Sequence, residues 1–235
     1  MKSGLGVMHK RRRFLGLGTI LTSISAFAPV PVMAKSFFDD AGDLPADWGL
    51  EIVSARQPPD ADFCWLAAAT MVLSWLGVRP TTLESTANWL GGEYRRLYHD
   101  GVGLPVDMIP EMAARLAMAT APLASLSLEW WEEKIVCGPM ILIGMTDISP
   151  GPHARVLIGM SREAGSGELR VKYIDPLDGS TSSRSMRVVQ RFYETLPIGH
   201  ISQLPPTQVL YFDQPAFESR IQFRVREGVR ERDQQ

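Results

Sequence analysis

The hydrophobic period of this chain changes near Cys137. Upstream of that point apolar residues recur at three-and-four spacing: Leu66, Ala69, Leu73 and Leu76 share one helical face, and Met108, Met112 and Leu116 share another. Downstream, residues 139–146 and 154–160 are continuous apolar runs, and Leu169, Val171 and Tyr173 alternate with Arg170 and Lys172. Continuous runs suit buried strands, and alternation suits a strand with one wet face. Helices first and strands second imply an α+β fold, in which an N-terminal helical layer packs on a mostly antiparallel sheet.

Caps and breakers place the elements. The first helix is expected over 63–76, with Asp62 as its N-cap and Gly77 at its end. A second starts at Thr81, where Thr81 and Glu84 read as a capping box, and stops at Gly91-Gly92. Residues 91–105 are Gly-rich and polar, with Tyr94, Arg95, Arg96, Tyr98 and His99 inserted, and read as a loop that rims a site. Further helices are expected over 105–118 and, capped by Ser127, over 127–136. Pro176 ends the alternating strand, Asp178-Gly179 makes a turn, residues 183–189 pair back, and 208–212 form a late strand. Ile221, Phe223 and Val225 suggest an edge strand within a charged tail, 214–235, whose end is expected to fray.

The N-terminus reads as an address. Lys10-Arg11-Arg12-Arg13-Phe14-Leu15 matches the twin-arginine export pattern. An uncharged stretch follows to Ala28, and Val32-Met33-Ala34 is an acceptable cleavage signal; the alternative is an uncleaved membrane anchor, for which the stretch is weakly apolar. The expected organisation is a signal peptide over 1–34, a lead-in over 35–56 and one domain over 57–213. The lead-in is too short for a folded inhibitory prodomain. The twin-arginine translocase is the expected partner in export, with the periplasm or cell exterior as destination. The presequence holds five basic residues and no acidic ones, so the remainder carries 24 − 5 = 19 basic against 26 acidic residues, a net charge of −7. That balance argues against nucleic acid or an anionic membrane as the main partner.

Two cysteines, Cys64 and Cys137, leave open a disulfide in an oxidising compartment. Cys137 precedes an apolar strand, where a small buried thiol is ordinary. Cys64 ends a polar loop and opens an apolar helix. Unpaired N–H groups and the positive end of the helix dipole favour a thiolate there. An Asp62 cap opposes this, both by its charge and by taking the Cys64 N–H from any oxyanion. His153 lies at the mouth of a strand and is the candidate base; His9, His99 and His200 have no strand to fix them. Asp175 ends the next strand. A turn near Gly165-Ser166-Gly167 brings that end to His153, where a carboxylate orients the imidazole. An ordinary turn aspartate fits the same dipeptides. Gln57 is a candidate oxyanion donor or an exposed loop residue. Trp65 is expected to pack beneath the site, and Trp130-Trp131 to place one ring inside and one at the surface. No phosphate loop and no convincing zinc spacing occur, so no cofactor is expected.

These residues carry a resemblance to the papain-like cysteine proteases, in particular the compact bacterial C39-like and AvrRpt2-type peptidases. The matching pieces are Gln57 ahead of Phe63-Cys64-Trp65-Leu66-Ala67-Ala68-Ala69, Gly138-Pro139 before an apolar strand, His153-Ala154-Arg155-Val156-Leu157-Ile158-Gly159, and Tyr173-Ile174-Asp175-Pro176-Leu177-Asp178-Gly179. The resemblance implies Cys64 as nucleophile, His153 as general base and acid, Asp175 as orienter and Gln57 as oxyanion donor, acting on a peptide or protein substrate. Gln57 stands one residue farther from the cysteine than is usual in the family. A transglutaminase-like acyltransferase shares the Cys–His–Asp order. A catalytically silent peptide-binding domain shares the fold.

Overall fold

The computed structural model describes residues 47–78, 82–122, 126–145, 152–194 and 207–214. The twin-arginine segment, Thr81, His200 and the alternating tail after 214 lie outside them. Among the described residues seven strands form one antiparallel sheet: β1 (Asp47–Gly49), β2 (Ala119–Pro122), β3 (Met140–Met145), β4 (Pro152–Arg162), β5 (Leu169–Ile174), β6 (Thr181–Ser185) and β7 (Thr207–Tyr211). The order is β2-β7-β3-β4-β5-β6, and β1, within the expected lead-in, pairs with the far end of β4. Helices α1 (Cys64–Trp75), α2 (Leu83–Leu90), α3 (Gly92–Asp100) and α4 (Ile109–Arg115) precede most of the sheet. They share a core with Ile141, Ile143, Ala154, Val156, Ile158 and Ile174. The α+β expectation holds. The opposite face carries a second core, covered by α5 (Leu128–Cys137) and α6 (Met186–Glu194), so the described residues form a sheet between two helical layers.

Helix α1 is buried more completely than one apolar face requires. Every residue from Trp65 to Leu73 is buried, as befits a helix that is apolar all round and enclosed by neighbours. Each large side chain removed from water there contributes roughly 1.5–3 kcal/mol, so packing outweighs intrinsic propensity in forming this helix. Its one buried hydroxyl is satisfied: Thr70 Oγ1 lies 2.8 Å from both Leu66 O and Thr86 Oγ1, which ties α1 to α2.

Several boundaries differ from expectation. The capping box of α2 is formed by Thr82 and Ser85, one residue beyond the expected pair. The expected 91–105 loop is largely the helix α3. Gly91 turns the chain between α2 and α3 at a φ of +91°, which a side chain would resist. Tyr94 and Leu97 then bury on one face, while Arg96 pairs with Glu93 and Asp100 on the exposed one. Exposed pairs contribute little, so the two buried side chains decide the outcome. The helix expected over 105–118 is a 3-10 turn, Val106–Met108, followed by the shorter α4. The stretch 183–189 splits into the end of β6 and the start of α6, because Met186, Val189 and Phe192, spaced by three, pack on the sheet. Strand β2 was not expected; it pairs with β7.

Candidate active site

Cys64 is the first residue of α1 and is half-buried. The expected Asp62 cap is absent. The N-cap is Phe63, which makes no side-chain capping bond, and Asp62 is exposed. The cause is packing: Phe63 is buried, with its ring stacked on Tyr98 at 5.2 Å between centroids. Anchoring that ring sets the helix entry one residue past the better capping residue. Among the described residues the N-cap side chain takes none of the first-turn N–H groups of α1, which removes the conflict an Asp62 cap would create. Trp65 is buried beneath, as expected.

His153 and Asp175 are brought together by strand register. Val156 pairs with Ile174 across the β4–β5 ladder, so the next antiparallel step sets Arg155 opposite Asp175 and places His153 on the diagonal. His153 Nε2 lies 2.6 Å from Asp175 Oδ1. Arg155 Nε donates to Asp175 Oδ2 at 2.9 Å, and the Leu177 N–H donates to Oδ1 at 3.1 Å. The turn at Asp175–Ser180 is closed by the Asp175 and Gly179 backbone N–H groups. Asp175 is thus an ordered ligand of its neighbours rather than a solvated turn residue.

Cys64 lies near enough to the same imidazole to act on its protonation. Burial pulls the His153 pKa down, but hydrogen bonding to Asp175 and Cys64, together with their charges, outweighs it and pushes the pKa up to about 9. Since Asp175 occupies Nε2, Nδ1 is the nitrogen left to face the sulfur. Burial raises the Asp175 carboxyl, yet bonds to His153, Leu177 and Arg155 hold it well below the usual carboxylate range. Near neutrality the pair is therefore imidazolium and carboxylate.

Gln57 is buried, and its backbone N–H donates to Pro176 O at 2.8 Å, next to Asp175. Its side-chain Oε1 has no hydrogen-bond partner among the described residues. Gly103, after α3, lies against Asp62, two residues before Cys64. Cys137 is buried at the end of α5, its thiol directed at Glu133 O (3.4 Å); both cysteines are free. Trp131 is buried and Trp130 only half-buried, as the sequence suggests. Among the described residues no group of three or more His, Cys, Asp or Glu side chains is placed to hold a metal. Arg155 was missed as a site residue. Its signal was its position two residues from His153, which puts both on the same face of their strand.

A cysteine at the N-terminus of a buried helix, facing a His–Asp pair on antiparallel strands, is the arrangement of the papain-like cysteine proteases. The family described as papain-like cysteine protease AvrRpt2 matches residues 49–194, most of the described fold. The chain belongs to that family and is a cysteine-type peptidase. No curated protein matches it.

Proposed function

We propose that the chain is an exported peptidase in which Cys64 is the nucleophile, His153 the general base and acid, and Asp175 the residue that orients the imidazole. The observation that carries this reading is the 2.6 Å contact of Asp175 with His153 Nε2, on a ring near enough to Cys64 for the cysteine to act on its protonation. The Cys64 sulfur, its proton on His153, attacks the scissile carbonyl carbon. The carbonyl oxygen gains the electron pair and is met by first-turn N–H groups of α1 and by the Gln57 amide. On collapse the C–N bond breaks, the imidazolium proton passes to the leaving amine, and a thioester to Cys64 remains. Water attacks the thioester and gives a proton to His153; the C–S bond breaks and the carboxylic acid departs. Asp175 keeps Nδ1 aimed at the sulfur throughout.

Export rests on the twin-arginine pattern of Lys10–Leu15 and places the protein in the periplasm or outside the cell, with the twin-arginine translocase as its carrier. Peptides or proteins are the substrates.

Thiol alkylation tests the chemistry. Cys64 should react far faster than Cys137 near neutral pH, and His153→Ala should suppress that advantage. Equal, slow reaction of both cysteines would make the domain a binding module instead. Product analysis with an added amine separates hydrolysis from acyl transfer. Cell fractionation, with Arg11 and Arg12 replaced by Lys, tests the export route.

A further inference from the structure

We infer that Arg155 is a positioning residue: wedged between Tyr173 and Phe192, it holds the Asp175 carboxylate by Oδ2 so that Oδ1 is presented to His153. The inference rests on reading Cys64, His153 and Asp175 as a triad.

The two oxygens of Asp175 are divided. Oδ1 is taken by His153 and the Leu177 N–H, and Oδ2 by Arg155. A carboxylate held from one side only can rotate about its side-chain bonds; one held through both oxygens has a single orientation. Arg155 is itself fixed. Its guanidinium carbon lies 5.2 Å from the Tyr173 ring centroid and 4.2 Å from that of Phe192. A planar guanidinium can lie against two rings while directing Nε to one oxygen, which an ammonium cannot reproduce.

The wedge has a foundation in β3. Gly144 pairs with His153, and a side chain there would come within 2.6 Å of both the ring and the backbone oxygen of Phe192. The absence of a Cβ at Gly144 lets α6 settle where Phe192 covers Arg155. The same glycine therefore seats the helix that closes over the triad's supporting cation.

Charge alone and positioning predict opposite outcomes. His153 faces Cys64 from α1, Asp175 from the end of β5 and Arg155 from its own strand, while Arg187 and Arg191 of α6 are exposed. If Arg155 acted only as a nearby positive charge, its removal would make His153 easier to protonate. If it positions Asp175, removal loosens the contact that raises the His153 pKa, and that pKa falls.

The test is an NMR titration of labelled histidine in the full chain, with the His153 signal assigned by its loss in His153→Gln. Cys64 alkylation is followed in parallel against pH. In Arg155→Met the His153 midpoint should drop from about 9 toward 6.5. Neutral-pH alkylation of Cys64 should slow roughly ten- to hundredfold, the effect of losing one charge-assisted hydrogen bond. Arg155→Lys should recover only part of both. An unchanged or raised His153 midpoint in a folded Arg155→Met, with alkylation unchanged, overturns the inference. Should that variant not fold, Phe192→Ala removes one wall of the wedge and leaves the charge; a lowered midpoint supports the inference and an unchanged one overturns it. Failure of the triad reading would look different: wild-type Cys64 would already react no faster than Cys137.

Discussion

His153 Nε2 and Asp175 Oδ1 lie 2.6 Å apart across the β4–β5 ladder, although the residues are 22 positions apart in sequence. The contact follows from a register fixed by pairs such as Leu157–Tyr173 and Val156–Ile174. Slipping that register by one residue would turn Tyr173 and Asp175 to the opposite face of the sheet. The stability of the hairpin and the assembly of the acid–base couple are therefore one property.

Residues that act as a unit are lost as a unit. Cys64→Ala and His153→Ala should each lower peptidase kcat/KM by about 10³-fold or more, and the double variant should be scarcely worse than either single one. Steady-state kinetics on a denatured protein substrate checks this. Multiplicative losses would show that the two side chains work independently.

Asp175→Asn keeps the shape and removes the charge. It presents an amide to both His153 and Arg155, leaving the guanidinium without its anion. Activity should fall by about 10³–10⁴-fold, the scale for mis-set tautomers in such triads. Stability should fall by about 1–3 kcal/mol. Kinetics and thermal melts of the same preparation measure both; full activity would remove Asp175 from the mechanism.

Stability should depend on pH in a defined window. The pKa of His153 is raised from 6.5 to about 9 by folding, so its contribution is complete below pH 6.5 and is lost as pH rises through 9. The Asp175 carboxyl is depressed below 3.8, so its contribution is complete above 3.8 and is lost on acidification. The melting temperature should peak between those limits and decline on the alkaline side. The alkaline loss should be on the order of 1–3 kcal/mol, roughly 2–10 °C. His153→Gln should flatten the alkaline limb; an unaltered limb would assign it to other groups.

The parts of the site legible in the sequence were those carried by local patterns. An apolar helix behind a polar loop exposed Cys64, and two strands with a turn between them exposed His153 and Asp175. What escaped depended on packing at a distance. Asp62 is the better capping residue, yet burial of the Phe63 ring against Tyr98 determines where α1 begins. Polar composition hid α3, whose existence depends on Tyr94 and Leu97 reaching the core. Arg155 stands inside a run read as a buried apolar strand, and only Phe192, 37 positions away, reveals what its guanidinium packs against.

Gly144→Ala probes the seat of α6. The new methyl would meet the backbone oxygen of Phe192 at 2.6 Å, which no side-chain rotation relieves. Displacement of α6 should cost about 1–3 kcal/mol, as other overpacked sites do. It should also slow Cys64 alkylation by freeing Arg155. Melting curves and labelling rates on one sample decide it. Unaltered values for both would mean that α6 docks independently of the site.

The imidazole and its carboxylate partner ride on adjacent strands, whereas the sulfur is supplied by a helix from the other layer. Any displacement of α1 relative to β4 would therefore part the nucleophile from the imidazole while the contact between His153 and Asp175 stays in place.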